Sequence, residues 1–152
     1  MSGIINSAGS RSGIIGETEL DYEIGEWTPA LANPSGASFS ADTGEYVKIG
    51  NAVFVRAQAT YASTHTNNSS ISGLPFTTGG SGAYTFPVQM QNLNWDSGTA
   101  VFMYVPNGNT IMSFNFISDD SGWPSGYAAA SGDIFYLTGT YFVNPPSGVG
   151  GW

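Results

Sequence analysis

Hydrophobic residues in this chain recur with a period of two and almost nowhere with a period near 3.6, so the elements it predicts are strands. Val53, Val55, Ala57, Ala59 and Tyr61 alternate with Phe54, Arg56, Gln58 and Thr60, the pattern of a strand with one buried face. The run Glu45–Ile49 precedes it, and Gly50-Asn51 between the two is a pair that tolerates positive φ and closes a hairpin. A second hairpin is predicted from Ala100–Val105 and Thr110–Ile117 around Pro106-Asn107-Gly108-Asn109, with Asn-Gly at its tip. Further strands are predicted at Ala83–Met90 and Asp133–Val143. Helices are not predicted, because Gly, Ser, Thr, Asn and Pro interrupt every stretch long enough to form one. Strands at this short spacing, separated by Gly, Pro and Asn turns, imply an all-β fold: an antiparallel, barrel-like β-sandwich.

The last strand adds an expectation. Phe135, Leu137, Gly139, Tyr141 and Val143 share one face, and Ile134, Tyr136, Thr138, Thr140 and Phe142 share the other, so both faces are substantially apolar. A strand buried on both sides of a small two-layer protein needs a second cover, and a subunit interface is the simplest one. Aromatic residues make up 14% of the chain, more than a single sandwich core of this size easily holds. An oligomer is therefore expected, with Ile134, Tyr136 and Phe142 at its interface.

Residues 17–152 form the predicted β-sandwich domain, and residues 1–16 differ from it in kind. They repeat Ser2-Gly3-Ile4-Ile5 as Ser12-Gly13-Ile14-Ile15 within Gly, Ser, Ala and Asn, and sustain neither periodicity. Ordering such a segment costs about 1–2 kcal/mol of backbone entropy per residue, and two Ile-Ile pairs are what a docking peptide would use to offset it. This segment is read as an extended anchor acting through Ile4, Ile5, Ile14 and Ile15. Next, Glu17, Glu19, Asp21 and Glu23 alternate with Leu20, Tyr22 and Ile24, which predicts a short strand with its acidic edge in solvent and its apolar edge packed.

Composition narrows the function. A chain of 152 residues is large enough for one self-sufficient core, and the lack of cysteine excludes disulfides and thiolate metal sites. A formal charge of −8, with Arg11, Lys48 and Arg56 the only basic residues besides His65, argues against nucleic acid and anionic membranes as partners. No apolar run approaches the ~20 residues of a membrane helix. The N-terminus has no basic region followed by an apolar core, so a secretory signal is not expected and synthesis in a host cytoplasm is.

Three segments in a fixed order carry a family resemblance: Gly25-Glu26-Trp27-Thr28-Pro29, the hairpin from Gly44-Glu45-Tyr46 through Gly50-Asn51 to Val55, and Ile71-Ser72-Gly73-Leu74-Pro75-Phe76. Together they resemble small β-rich modules of tailed-phage virion surfaces, most often found at tail-fibre tips. The resemblance implies a homotrimeric, non-enzymatic virion structural protein, displayed on the particle surface and partnered by itself and by a phage capsid or tail protein. Sixteen residues reach at most about 55 Å and no shaft repeat follows, so capsid decoration is the leading expectation. A tail-fibre or receptor-binding tip that attaches to a host surface polysaccharide is the alternative.

Candidate chemistry is sparse. The single histidine, His65, stands in a polar loop, and Asp119-Asp120 lies in a turn-like Ser-Asp-Asp-Ser-Gly run, so no catalytic residue, metal or cofactor is expected. Trp95 beside Asn92 and Asn94, and Trp123 with Tyr127, are the residues suited to glycan contact, by ring stacking with adjacent hydrogen bonds.

Overall fold

The computed structural model describes residues 21–32, 37–64, 70–92, 100–117 and 129–144. They form nine strands: β1 (Tyr22–Trp27), β2 (Ala30–Leu31), β3 (Phe39–Ile49), β4 (Ala52–Tyr61), β5 (Ser70–Ser72), β6 (Ala83–Gln91), β7 (Ala100–Pro106), β8 (Met112–Ile117) and β9 (Ile134–Phe142). All pairings are antiparallel, in the order β1-β3-β4-β9-β6-β7-β8-β5-β2, a single sheet curled on itself. The expected all-β, barrel-like antiparallel fold is the one observed. No helix among the described residues is long and apolar enough to cross a membrane.

Two strands turn the corners. The first part of β6 pairs with β7 as far as Pro87, and from Val88 onward it pairs with β9, so one strand serves both halves of the curl. Proline lacks the N–H a continuing ladder needs, which suits a point where pairing changes sides. Thr28-Pro29 does the same at the rim: β1 ends one side of the sheet order and β2, two residues later, ends the other. The sequence predicted β6 as one strand and did not reveal its two partners.

Between the halves lies the core. β4 contributes Val53, Val55, Ala57, Ala59 and Tyr61, and β9 contributes Phe135, Leu137 and Tyr141, all buried. Phe86, Met103, Val105, Met112, Ile71 and Leu74 meet them from the other half. Phe39 packs edge-on against Tyr61 and Phe135 with ring centroids 5.0 and 5.7 Å apart, and Phe114 meets Phe135 at 6.1 Å. Each such pair adds about 0.5–1.5 kcal/mol beyond its buried area.

The predicted hairpins are present. Ile49 pairs with Ala52 across Gly50-Asn51, and Gly50 alone of the two has positive φ (57°), as a type II′ turn requires. Gly108 (φ 74°) sits in the turn between β7 and β8.

The three motif segments converge. Gly25-Glu26-Trp27 pairs with Gly44-Glu45-Tyr46 in reverse register, so Gly25 faces Tyr46, Glu26 faces Glu45 and Trp27 faces Gly44. Each aromatic ring lies over the other tripeptide's glycine: an added Cβ would stand 2.6 Å from the Tyr46 hydroxyl at Gly25, and 2.6 Å from the Trp27 ring at Gly44. Trp27 is buried and donates its indole N–H to the Glu45 carbonyl at 3.3 Å. Ile71–Phe76 closes the group, with Gly73 against the Thr28 carbonyl, Leu74 buried, and Phe76 edge-on to Tyr46 at 5.2 Å. These motifs hold the fold together.

One expectation is reversed. Trp27, Gly25 and Glu23 share the inward parity of β1, so Tyr22 and Ile24 point outward and are exposed. The buried aromatic fixes the parity: the large Trp27 side chain and the Tyr46 ring over Gly25 outweigh burial of two exposed apolar side chains. Glu23, on the inward parity at the rim, accepts the Tyr46 hydroxyl at 2.5 Å.

Candidate docking face

Strand registers lay out the outer face of β1, β3, β4 and β9 in rows. The first row is Tyr22, Ile49, Ala52 and Phe142; the second is Ile24, Val47, Phe54 and Thr140; the third is Glu26, Glu45, Arg56 and Thr138. Beyond them come Thr43, Gln58 and Tyr136, then Ala41, Thr60 and Ile134. The face is thus apolar at the Gly50-Asn51 end, charged across the middle and polar at the far end.

At the apolar end, Tyr22 is 58% exposed, Ile24 64%, Ile49 41%, Phe54 46% and Phe142 53%. Exposed apolar residues scattered singly need no explanation, whereas a contiguous set marks a contact surface. A shallow groove of about 590 Å³ runs over it, with Ile24, Val47 and Phe54 on its apolar side and Glu26, Glu45 and Arg56 on its charged side. A second groove of about 340 Å³, over Thr43, Gln58, Tyr136 and Thr138, continues into the polar end.

The charged row explains itself locally. Glu26 and Glu45 stand directly opposite, an unfavourable like-charge pair, and Arg56 on the next strand relieves it by donating Nε and Nη2 to the Glu45 carboxylate at 2.9 and 2.8 Å. That bidentate bond holds the Glu45 carboxyl below the usual carboxylate range and raises the Arg56 guanidinium in turn. The hydrogen bond to Glu23 raises the Tyr46 phenol. Lys48 pairs with Asp21 at the edge of the apolar end and lies 5.9 Å from the Phe76 ring centroid.

Of the residues expected at an interface, Phe142 belongs to the apolar end, while Tyr136 and Ile134 lie at the polar end. Eight residues of strand separate Phe142 from Ile134, about 26 Å. Tyr136 and Ile134 are half-buried, and the Tyr136 hydroxyl donates to Gln91 Oε1 at 3.0 Å. Ile4, Ile5, Ile14, Ile15, Trp95, Trp123 and Tyr127 lie outside the described residues, as do His65, Asp119 and Asp120. Among the described residues no three His, Cys, Asp or Glu side chains are grouped to hold a metal ion. Sequence reasoning put Phe54 on the open face of β4 but missed Tyr22, Ile24 and Ile49 as surface residues. The parity of Trp27 relative to Ile24 was the signal for the first two.

The fold itself is all-β, one antiparallel sheet curled on itself. No protein-family model and no curated protein matches the chain. Among solved structures it is similar to the Dettilon tailspike protein, with a TM-score of 0.64 and 19% sequence identity over 81% of this chain. It spans 24% of the length of that protein.

Proposed function

We infer that this chain is a structural module of a tailed-phage virion, exposed on the particle and held there through its N-terminal segment. The fold shared with a tailspike protein over 81% of the chain carries the reading. The same likeness favours placement on the tail, in a receptor-binding part, over the capsid decoration expected from the sequence. The action is assembly and display, with no catalytic step. Three copies associate through the outer face of β9, with Ile134, Tyr136 and Phe142 in or beside the contact, and Trp95, Trp123 and Tyr127 are the residues offered to a host glycan.

Counting copies per purified virion tests the placement. A few to a few tens of copies, labelled by antibody at the tail, is the expected outcome; hundreds of copies on the capsid would return the decoration reading, and absence from the particle would overturn the proposal. Release of oligosaccharides from host polysaccharide by the purified protein would contradict the non-enzymatic part.

A further inference from the structure

The outward rows of β1, β3, β4 and β9 make one continuous face, and its apolar end alone is too small for a stable partner. Strands about 4.8 Å apart and rows about 7 Å apart give the apolar rows roughly 300 Å² and the whole face roughly 600 Å². A stable contact covers about 800 Å² per side, so an occupant has to match the charged and polar rows as well as the apolar ones. A second copy of this chain does so.

Any rotation axis parallel to the strands sets each row against the same row of the next copy, apolar on apolar and charged on charged. An axis lying in the face across the charged row sets each strand against itself instead, so that Glu26 meets Glu26, Glu45 meets Glu45 and Phe54 meets Gln58. Charge then fixes where a strand-parallel axis lies. Over β3 it would gather the Glu45 carboxylates of all copies, and over β4 it would gather the Arg56 guanidinia. Between β3 and β4 it alternates them. Each Arg56 there lies between its own Glu45, to which it already gives Nε and Nη2 at 2.9 and 2.8 Å, and the Glu45 of the next copy, for which a guanidinium has N–H donors left.

We propose that three copies pack around such an axis, with β3 and β4 at the centre and β1 of one copy on β9 of the next. Val47 and Phe54 form an apolar layer on the axis, beside a layer of Ile49 and Ala52, and the neutral ring of Glu45 and Arg56 lies directly below them. At the outside, Tyr22 meets Phe142 of the next copy, and Glu26 accepts from the Thr138 hydroxyl of the next copy. The arrangement covers the apolar end of the face and sets no carboxylate against another across the contact. The inference rests on the three-copy reading above and adds to it the axis and the register. Phe142 enters the contact, while Tyr136 and Ile134 lie at its polar end, in rows to which β1 contributes no residue.

The full-length double variant Tyr22→Cys/Phe142→Cys tests the register, because the chain has no other cysteine. Within one molecule β3 and β4 separate β1 from β9, which places the two positions about 14 Å apart, beyond the ~7 Å that a disulfide spans. Across the proposed contact they are neighbours. Mild oxidation at micromolar concentration is expected to give a ladder on non-reducing electrophoresis that ends at three chains, while each single variant stays unjoined. Thiols that stay free, single variants that join equally well, or a ladder that ends at two chains would overturn the proposal. Sedimentation of the unoxidised protein separates this failure from that of the reading beneath it: three chains together without the cross-link overturn the register alone, and a lone chain overturns both. Phe54→Ser, on the axis, should release most of the assembly to single chains at a concentration where the wild type is associated, and Tyr104→Ser, on the other half of the sheet, should not; equal masses for the two variants would contradict the proposal.

Discussion

The curled sheet has two outer faces built on one core, and they differ. Over β1, β3, β4 and β9 the outward side chains include Tyr22, Ile24, Ile49, Phe54 and Phe142 around one ion pair. Over β6, β7, β8 and β5 they are Thr85, Pro87, Phe102, Tyr104, Ser113, Asn115 and Ser70, with Ser70 and Ser113 hydroxyls 3.2 Å apart. Inward positions obey the same alternation in both halves, so the core says little about what the protein does. The halves differ in their outward positions: one face gathers exposed apolar side chains, and the other mixes Phe102 and Tyr104 with hydroxyls and an amide.

The premise of a shared core is the first thing to break. Phe135 is fully buried and touches aromatic side chains from both halves, so Phe135→Ala should lower stability by about 3–5 kcal/mol in denaturant unfolding. A loss below about 1 kcal/mol would mean that the halves do not depend on a common centre. Next in size is the crossed pair of tripeptides beneath the apolar face. Gly44→Ala places a methyl group against the Trp27 ring and should cost about 1–3 kcal/mol, whereas a substitution such as Thr85→Ala on the other face should stay within about 0.5 kcal/mol.

The faces themselves are compared by paired surface variants. Ile24→Ser should increase binding of a hydrophobic dye to the full-length protein by releasing whatever covers the patch, and Tyr104→Ser should leave it unchanged. Equal responses would remove the distinction. The smallest effect is electrostatic. Folding lowers the Glu45 carboxyl through Arg56, so the stabilisation is complete above the ordinary carboxylate value of 4.5 and fades as pH falls through the lower folded value. Arg56→Ala should therefore reduce the thermal midpoint slightly at neutral pH, with the difference shrinking in acid, and the pair's exposed position keeps it small.

Much of this fold was legible in local pattern. The alternation from Val53 to Tyr61, the Gly50-Asn51 and Asn107-Gly108 turns and the inward set Phe135, Leu137 and Tyr141 of the last strand each follow from residues adjacent in sequence, and the structure has each of them, while the last strand's other face is half-buried to exposed. What was not legible depends on distant residues. β2 and β5 have only two and three residues, too short for a periodic signal, and exist because Ala30 and Leu31 find Ser72 and Ile71. The switch of β6 at Pro87 reflects two different neighbours, β7 and β9, which local pattern cannot name. The orientation of β1 depends on Gly44 being across from Trp27, so alternation alone assigned Ile24 to the wrong side. Phe142, Tyr136 and Ile134 were expected together at an interface because they share one strand. Tyr22, Ile49 and Phe54 join Phe142 only through register.

Hydroxyl-radical footprinting of the full-length protein tests the contrast between the faces most directly. Tyr22 and Phe54 are 58% and 46% exposed and Tyr104 is 39% exposed. A covered first face predicts the reverse order, each ring corrected for its intrinsic reactivity: slow oxidation at Tyr22 and Phe54 and faster oxidation at Tyr104. Rates that fall from Tyr22 through Phe54 to Tyr104 would show that face open to water and contradict the account.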